Sequence, residues 1–193
     1  VPTQKKKLPL NNHPTIKLEN FFENQFNNYK NKTFNLDVYK ILKKNFKSES
    51  KIRFLDYGGE NLDLYLFLKE KFPKIKIMVV NQVKVNLYLQ KVIINKKVKF
   101  IKVIKNMKSL KNISFDFIHF GSSLQYIKNY EKILNLLLKN SSVFFYISAT
   151  GFFYDKIKIK EKIIKQVNLL PVIMYCYIIN FNYLKALFKT KNF

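Results

Sequence analysis

From Lys51 onward, short runs rich in β-branched and aromatic residues alternate with stretches whose apolar positions recur every three or four residues. The runs at Ile52–Tyr57, Ile75–Val80, Val98–Ile104, Phe115–Phe120 and Val143–Ser148 predict strands. The stretches at Leu62–Lys71, Val85–Asn95, Tyr130–Lys139 and Ile157–Val167 predict helices, the first of them stopped by Pro73. A further strand is expected from Pro171, followed by a helix through Leu184 and Leu187. Strands apolar on both faces and separated by helices mean a buried, mostly parallel sheet, and so an α/β three-layer sandwich of Rossmann-like type.

The pattern before residue 51 is different. Lys5-Lys6-Lys7 with Pro2 and Pro9 marks residues 1–14 as an extended basic arm. Phe22, Phe26 and Tyr29 form one helical stripe, and Leu36, Val38, Ile41 and Leu42 another, so residues 15–50 read as an N-terminal helical segment. Residues 51–193 then make the Rossmann-like domain. The chain opens on Val1 and stops at Phe193 just after a helix-like stretch, as a fragment of a longer protein lacking C-terminal strands would.

Composition changes this picture little. The net charge of +24 suggests nucleic acid, anionic lipid or acidic glycan, but Arg53 is the sole arginine among 36 basic residues. Arginine is the residue that forks onto bases and phosphates. Abundant lysine together with Asn, Ile, Phe and Tyr is what an AT-rich genome produces, so drift is the first reading and nucleic-acid binding the second. Cys176 is the only cysteine, which excludes an internal disulfide and suits a reducing cytoplasm; it is expected to be buried and inert. The two histidines and one cysteine show no metal-ligand spacing. The apolar runs 143–154 and 167–181 are short for a bilayer span, and no charged-then-apolar leader opens the chain.

Ligands of open α/β sheets lie beyond the carboxyl ends of the strands. There the chain places Asp56-Tyr57-Gly58-Gly59-Glu60 after the first strand, Asn81-Gln82 after the second, Asn106 after the third, and Gly121-Ser122-Ser123-Leu124-Gln125-Tyr126 after the fourth. Phe54 to Tyr65 and Phe115 to Ile127, with their LD-aromatic-GG turn and GSSLQYI segment, resemble the S-adenosylmethionine-dependent methyltransferases associated with lipopolysaccharide and surface-polysaccharide gene clusters. The resemblance covers roughly residues 52–154, with a weaker echo at 171–187. It implies S-adenosylmethionine as cofactor, threaded along Gly58 and Gly59, with Asp56 ordering the turn. It also implies O-methylation of a sugar or surface glycan. The carboxylates expected at the ribose and adenine are replaced by Asn81, with Gln82 beside it, and by Asn106; a later loop glycine is Leu62.

Plainer roles stand beside these. Gly58-Gly59 serves equally as a strand-to-helix turn, Asp56 as a cap, Glu60 as a solvated side chain, and Gly121 to Tyr126 as a helix start. His119 is either a satisfied core histidine or a general base. Tyr126 is the other candidate to touch the acceptor. The aromatic stretch from Phe144 to Tyr154 reads as core strand followed by a lid-like loop. A degenerate, non-catalytic member of the same fold is the rival to the enzyme.

Overall fold

The computed structural model describes residues 37–190 apart from 106, 141–143, 157–158 and 170–171. The basic arm, the helical stripe up to Leu36, and Asn106 lie outside the described residues.

Helix α1 (Asp37–Asn45) buries Val38 and Leu42 and leads into β1 (Arg53–Tyr57). Then follow α2 (Leu62–Lys71), β2 (Lys76–Val80), α3 (Val83–Asn95), β3 (Ile101–Val103), β4 (Phe117–Gly121), α4 (Tyr130–Asn140) and β5 (Phe144–Ser148). These five strands form one parallel sheet in the order β3-β2-β1-β4-β5. The order reverses between β1 and β4, which is where such sheets open a crevice.

Side chains alternate across this sheet. Phe54, Ile77, Val79 and Phe117 face α1, α2 and α3 in one core layer. Leu55, Ile118 and Phe120 face α4 in the other. Helix α2 is apolar on nearly all sides and buries Leu62, Leu64, Tyr65 and Leu68; Asn61 caps it by accepting from the Leu64 N–H. At the opposite end of the sheet from the crevice, Arg53 pairs with Asp116 (Nη2 to Oδ1, 3.2 Å) and its backbone N–H donates to the same carboxylate at 2.7 Å. The lone arginine therefore ties β1 to β4.

One expected element is corrected. Ile157–Val167 was read as helix, yet residues Glu161–Leu169 form strand β7, antiparallel to β8 (Val172–Asn180), from Glu161↔Ile179 to Leu169↔Val172. With β6 (Phe152–Phe153) they make a separate three-stranded sheet, β6-β8-β7. Ile159, Ile163, Ile164 and Val167 lie at helical spacing, but they are β-branched, and pairing with the long apolar β8 overrides the period. Ile163 and Ile164 are both exposed, so no amphipathic helix face is being buried there. Helix α5 (Phe181–Lys189) follows as expected; Asn180 caps it, and Leu184 is buried in the core layer shared with α4. Cys176 is buried, and burial pushes its thiol pKa up. No helix among the described residues is long and apolar enough to cross a membrane.

Candidate functional site

The parallel register stacks three rows across β1, β4 and β5 on the α2 side of the sheet. The first is aromatic: Phe54, Phe117 and Phe144 stand in register, with the first two rings stacked at 5.3 Å. The next row is polar, Asp56, His119 and Tyr146. Beyond it Gly121 pairs with Ser148 at the strand ends, beside the loop that carries Gly58.

The polar row is closely connected. Asp56 is buried, and its Oδ2 accepts from the Tyr65 hydroxyl of α2 at 2.8 Å. Its Oδ1 lies 3.1 Å from His119 Nδ1. His119 Nε2 in turn lies 3.1 Å from Ser148 Oγ. The imidazole stacks on the Tyr146 ring at 5.5 Å and 13°. Burial, then the neighbouring Asp56 charge, raises the Tyr65 pKa well above its ordinary value, so the phenol stays a donor. With the carboxylate accepting on both oxygens, Nδ1 is assigned the imidazole proton and Nε2 is the acceptor for Ser148.

The glycines are fitted to this arrangement. Gly58 sits at φ +80°, and a Cβ there would meet Ser123 Cβ at 2.2 Å. A Cβ on Gly59 would meet the Tyr65 hydroxyl at 2.2 Å and Asp56 Cγ at 2.4 Å. At Gly121 it would meet His119 Cε1 at 2.6 Å. All three are thus required by packing within the chain, whatever their backbones also offer a ligand. Gly121→Ala is expected to push the imidazole off Ser148 and to cost roughly 1–3 kcal/mol, as overpacking does. Thermal unfolding and the imidazole NMR shifts of His119 check this; unchanged values for both would contradict the tight fit.

The other loops converge here too. The Gly58 N–H donates to Val80 O at 2.6 Å, and the Ser123 hydroxyl donates to Tyr57 O. Asn81 Nδ2 donates to Gly59 O at 2.9 Å, while its Oδ1 accepts from the Gln82 N–H at 2.7 Å. Both ends of that amide are therefore engaged within the loops. Tyr57 faces the other layer, stacks on Phe120 and has its pKa pushed up to about 12 by burial. Glu60 and Gln82 are exposed. Leu124 is fully buried in the core behind the crevice, and Tyr126 is half-buried in the short 3-10 turn Leu124–Tyr126.

Gln125 Oε1 and Asn86 Oδ1 are among the buried oxygens that find no hydrogen-bond partner among the described residues. Gln125 Nε2 reaches Ser122 Oγ at 3.5 Å, and Asn86 Nδ2 donates to Asn81 O at 2.9 Å, so both amides lie beside crevice loops. Ser122 and Ala149, which follow β4 and β5, both hold positive φ (54° and 50°). Non-glycine residues in that region store strain, and such residues cluster at functional sites. Sequence reasoning missed Ser148, Tyr65 and Tyr146 as site residues. The rule that found the other loops, applied to the end of the fifth strand, would have found Ser148.

No known family's profile matches the chain, and no curated protein matches it in sequence. Solved structures do. The N-terminal domain of EvdMO1, crystallised in the presence of SAH and D-fucose, superposes with a TM-score of 0.55 at 15% identity, over 82% of this chain and 74% of that one. A candidate S-adenosylmethionine-dependent methyltransferase from Listeria monocytogenes gives 0.55 at 13% identity, over 79% and 82%. The fold is that of the class I methyltransferases. Coclaurine N-methyltransferase, bound to N-methylheliamine and SAH, is also similar (TM-score 0.44, 19% identity, 58% of this chain), but the chain spans only 34% of its length. The Rossmann-like expectation is thereby met, including the five-stranded parallel sheet with helices on both faces.

Proposed function

We propose that the chain is an S-adenosylmethionine-dependent methyltransferase acting on a hydroxyl of a sugar or surface glycan, and that it serves surface-polysaccharide assembly in the cytoplasm. The observation that carries this reading is the β1/β4 switch point, where sheets of this kind bind ligands. The Gly58-Gly59 turn, with Gly58 at φ +80°, lies there against Ser123, and Gln125, two residues further on, has a buried Oε1 acceptor without a donor among the described residues. A nucleoside offers hydroxyl and amine donors to such an acceptor, so the residues present fit the cofactor. Gly58, Gly59, Ser122 and Gln125 are the residues that would hold it. When bound, its sulfonium supplies an electrophilic methyl group. What the protein adds is chiefly alignment of the acceptor and exclusion of water. The sugar half of the proposal draws on the fold shared with the EvdMO1 domain crystallised in the presence of D-fucose, and on the GSSLQYI resemblance.

Calorimetric titration with S-adenosylhomocysteine tests the reading. Micromolar binding is expected. No binding at millimolar ligand, by a chain shown to be folded, would overturn it.

Asn81 favours a second reading, a binding scaffold that keeps the fold without transferring methyl groups. Its amide N–H donates to Gly59 O and its oxygen accepts from the Gln82 N–H, which ties both ends of the side chain to the loops. An amide also lacks the charge-assisted strength that a carboxylate offers ribose hydroxyls. This reading expects a folded chain that binds no S-adenosylhomocysteine.

A further inference from the structure

Asp56, His119 and Ser148 form a continuous line. A buried carboxylate lies 3.1 Å from one ring nitrogen, and the other ring nitrogen lies 3.1 Å from a half-buried hydroxyl at the carboxyl end of β5. A nucleophile or proton carrier within reach of an imidazole, itself oriented by a third group, is a catalytic arrangement recognised by geometry rather than by sequence order. Two features go beyond a satisfied core histidine. The line ends at the strand terminus where the crevice opens, not in the core. The residues flanking that end, Ser122 and Ala149, are held in positive φ with no glycine to relieve them, and Ser122 N–H donates to Ser148 O at 2.9 Å. Gly121 keeps the space that lets the imidazole reach Ser148.

We infer that Asp56–His119–Ser148 is a hydroxyl-activating relay at the acceptor end of the site, and that the acceptor is an alcohol; the acceptor's part rests on the methyltransferase reading. For an alcohol seated against Ser148, its proton passes to Oγ while the Oγ proton passes to His119 Nε2. This leaves an alkoxide on the acceptor and an imidazolium whose charge Asp56 offsets. Ser148 touches the acceptor. His119 and Asp56 act through it, and Tyr65 holds Asp56 in place.

Activation of Oγ can be read without knowing the acceptor, using diisopropyl fluorophosphate and mass spectrometry of the intact chain. In that reaction Oγ bonds to phosphorus, the P–F bond breaks, fluoride leaves, and the Oγ proton goes to His119 Nε2. One modification, mapped to Ser148 and absent in Ser148→Ala, is expected. His119→Gln should slow it by about a hundredfold or more, the usual contribution of a general base. Asp56→Asn should slow it as well.

A folded chain that binds S-adenosylhomocysteine but is not modified at Ser148, or is modified equally fast in His119→Gln, overturns the relay and leaves the methyltransferase reading standing. A chain modified at Ser148 that binds no S-adenosylhomocysteine keeps the relay and overturns that reading.

Discussion

Gly58→Val is expected to weaken cofactor binding at the β1 loop and to destabilise the chain by roughly 2–6 kcal/mol. Two costs add. A β-branched residue at φ +80° is strained by about 1–3 kcal/mol. Its Cβ must also displace Ser123, whose own Cβ lies 2.2 Å from where the new atom would sit, at about 1–3 kcal/mol for overpacking. Relieving the clash moves the Tyr57–Ser123 link and with it the loops after β1 and β4. S-adenosylhomocysteine affinity should fall by at least about tenfold, or 1.4 kcal/mol. The two costs can be separated. Gly58→Ala made in a Ser123→Gly background keeps the φ strain and removes most of the clash, so it should be milder than Gly58→Ala alone. Equal losses in the two backgrounds would show that contact with Ser123 is not what demands a glycine.

Asp56→Ala carries the other large effect. It leaves the Tyr65 hydroxyl and the His119 Nδ1 proton buried with no acceptor, where each unpaired group costs about 1–3 kcal/mol. A total of about 2–6 kcal/mol is expected, roughly 4–24 °C in Tm for a chain of this size. Tyr65→Phe removes only one donor and should cost about 1 kcal/mol. Urea unfolding measures both through the midpoint, with the slope unchanged if only stability has altered. If Asp56→Ala proved no worse than Tyr65→Phe, the His119 contact would be contributing nothing.

These two residues also show what could be read from the chain alone. Helix α2 was legible because its signals are local, with apolar positions at helical spacing and Pro73 closing it. The five parallel strands were legible because buried strands are apolar on both faces. Gly58 stood out for the same reason, since a glycine at a strand end is a local mark. Residues Glu161–Leu169 were not legible. The spacing of Ile159, Ile163, Ile164 and Val167 satisfies a helix, and only the pairing with β8 decides for a strand. Ser148 is marked in the sequence only by its place at the end of the fifth strand; its partner His119 is 29 residues away, brought alongside by the β4–β5 register. Asn81 was named as a ribose contact from its position, but what its amide bonds to depends on the path of the Gly59 loop.

The central claim is that the crevice between β1 and β4 holds the cofactor, and a crystal structure of the chain grown with S-adenosylhomocysteine tests it most directly. Ligand density lying against the Gly58-Gly59 backbone, with Gln125 Oε1 accepting from it, is the predicted result. Ligand bound elsewhere on the chain, or a crevice without ligand at millimolar concentration, would contradict it.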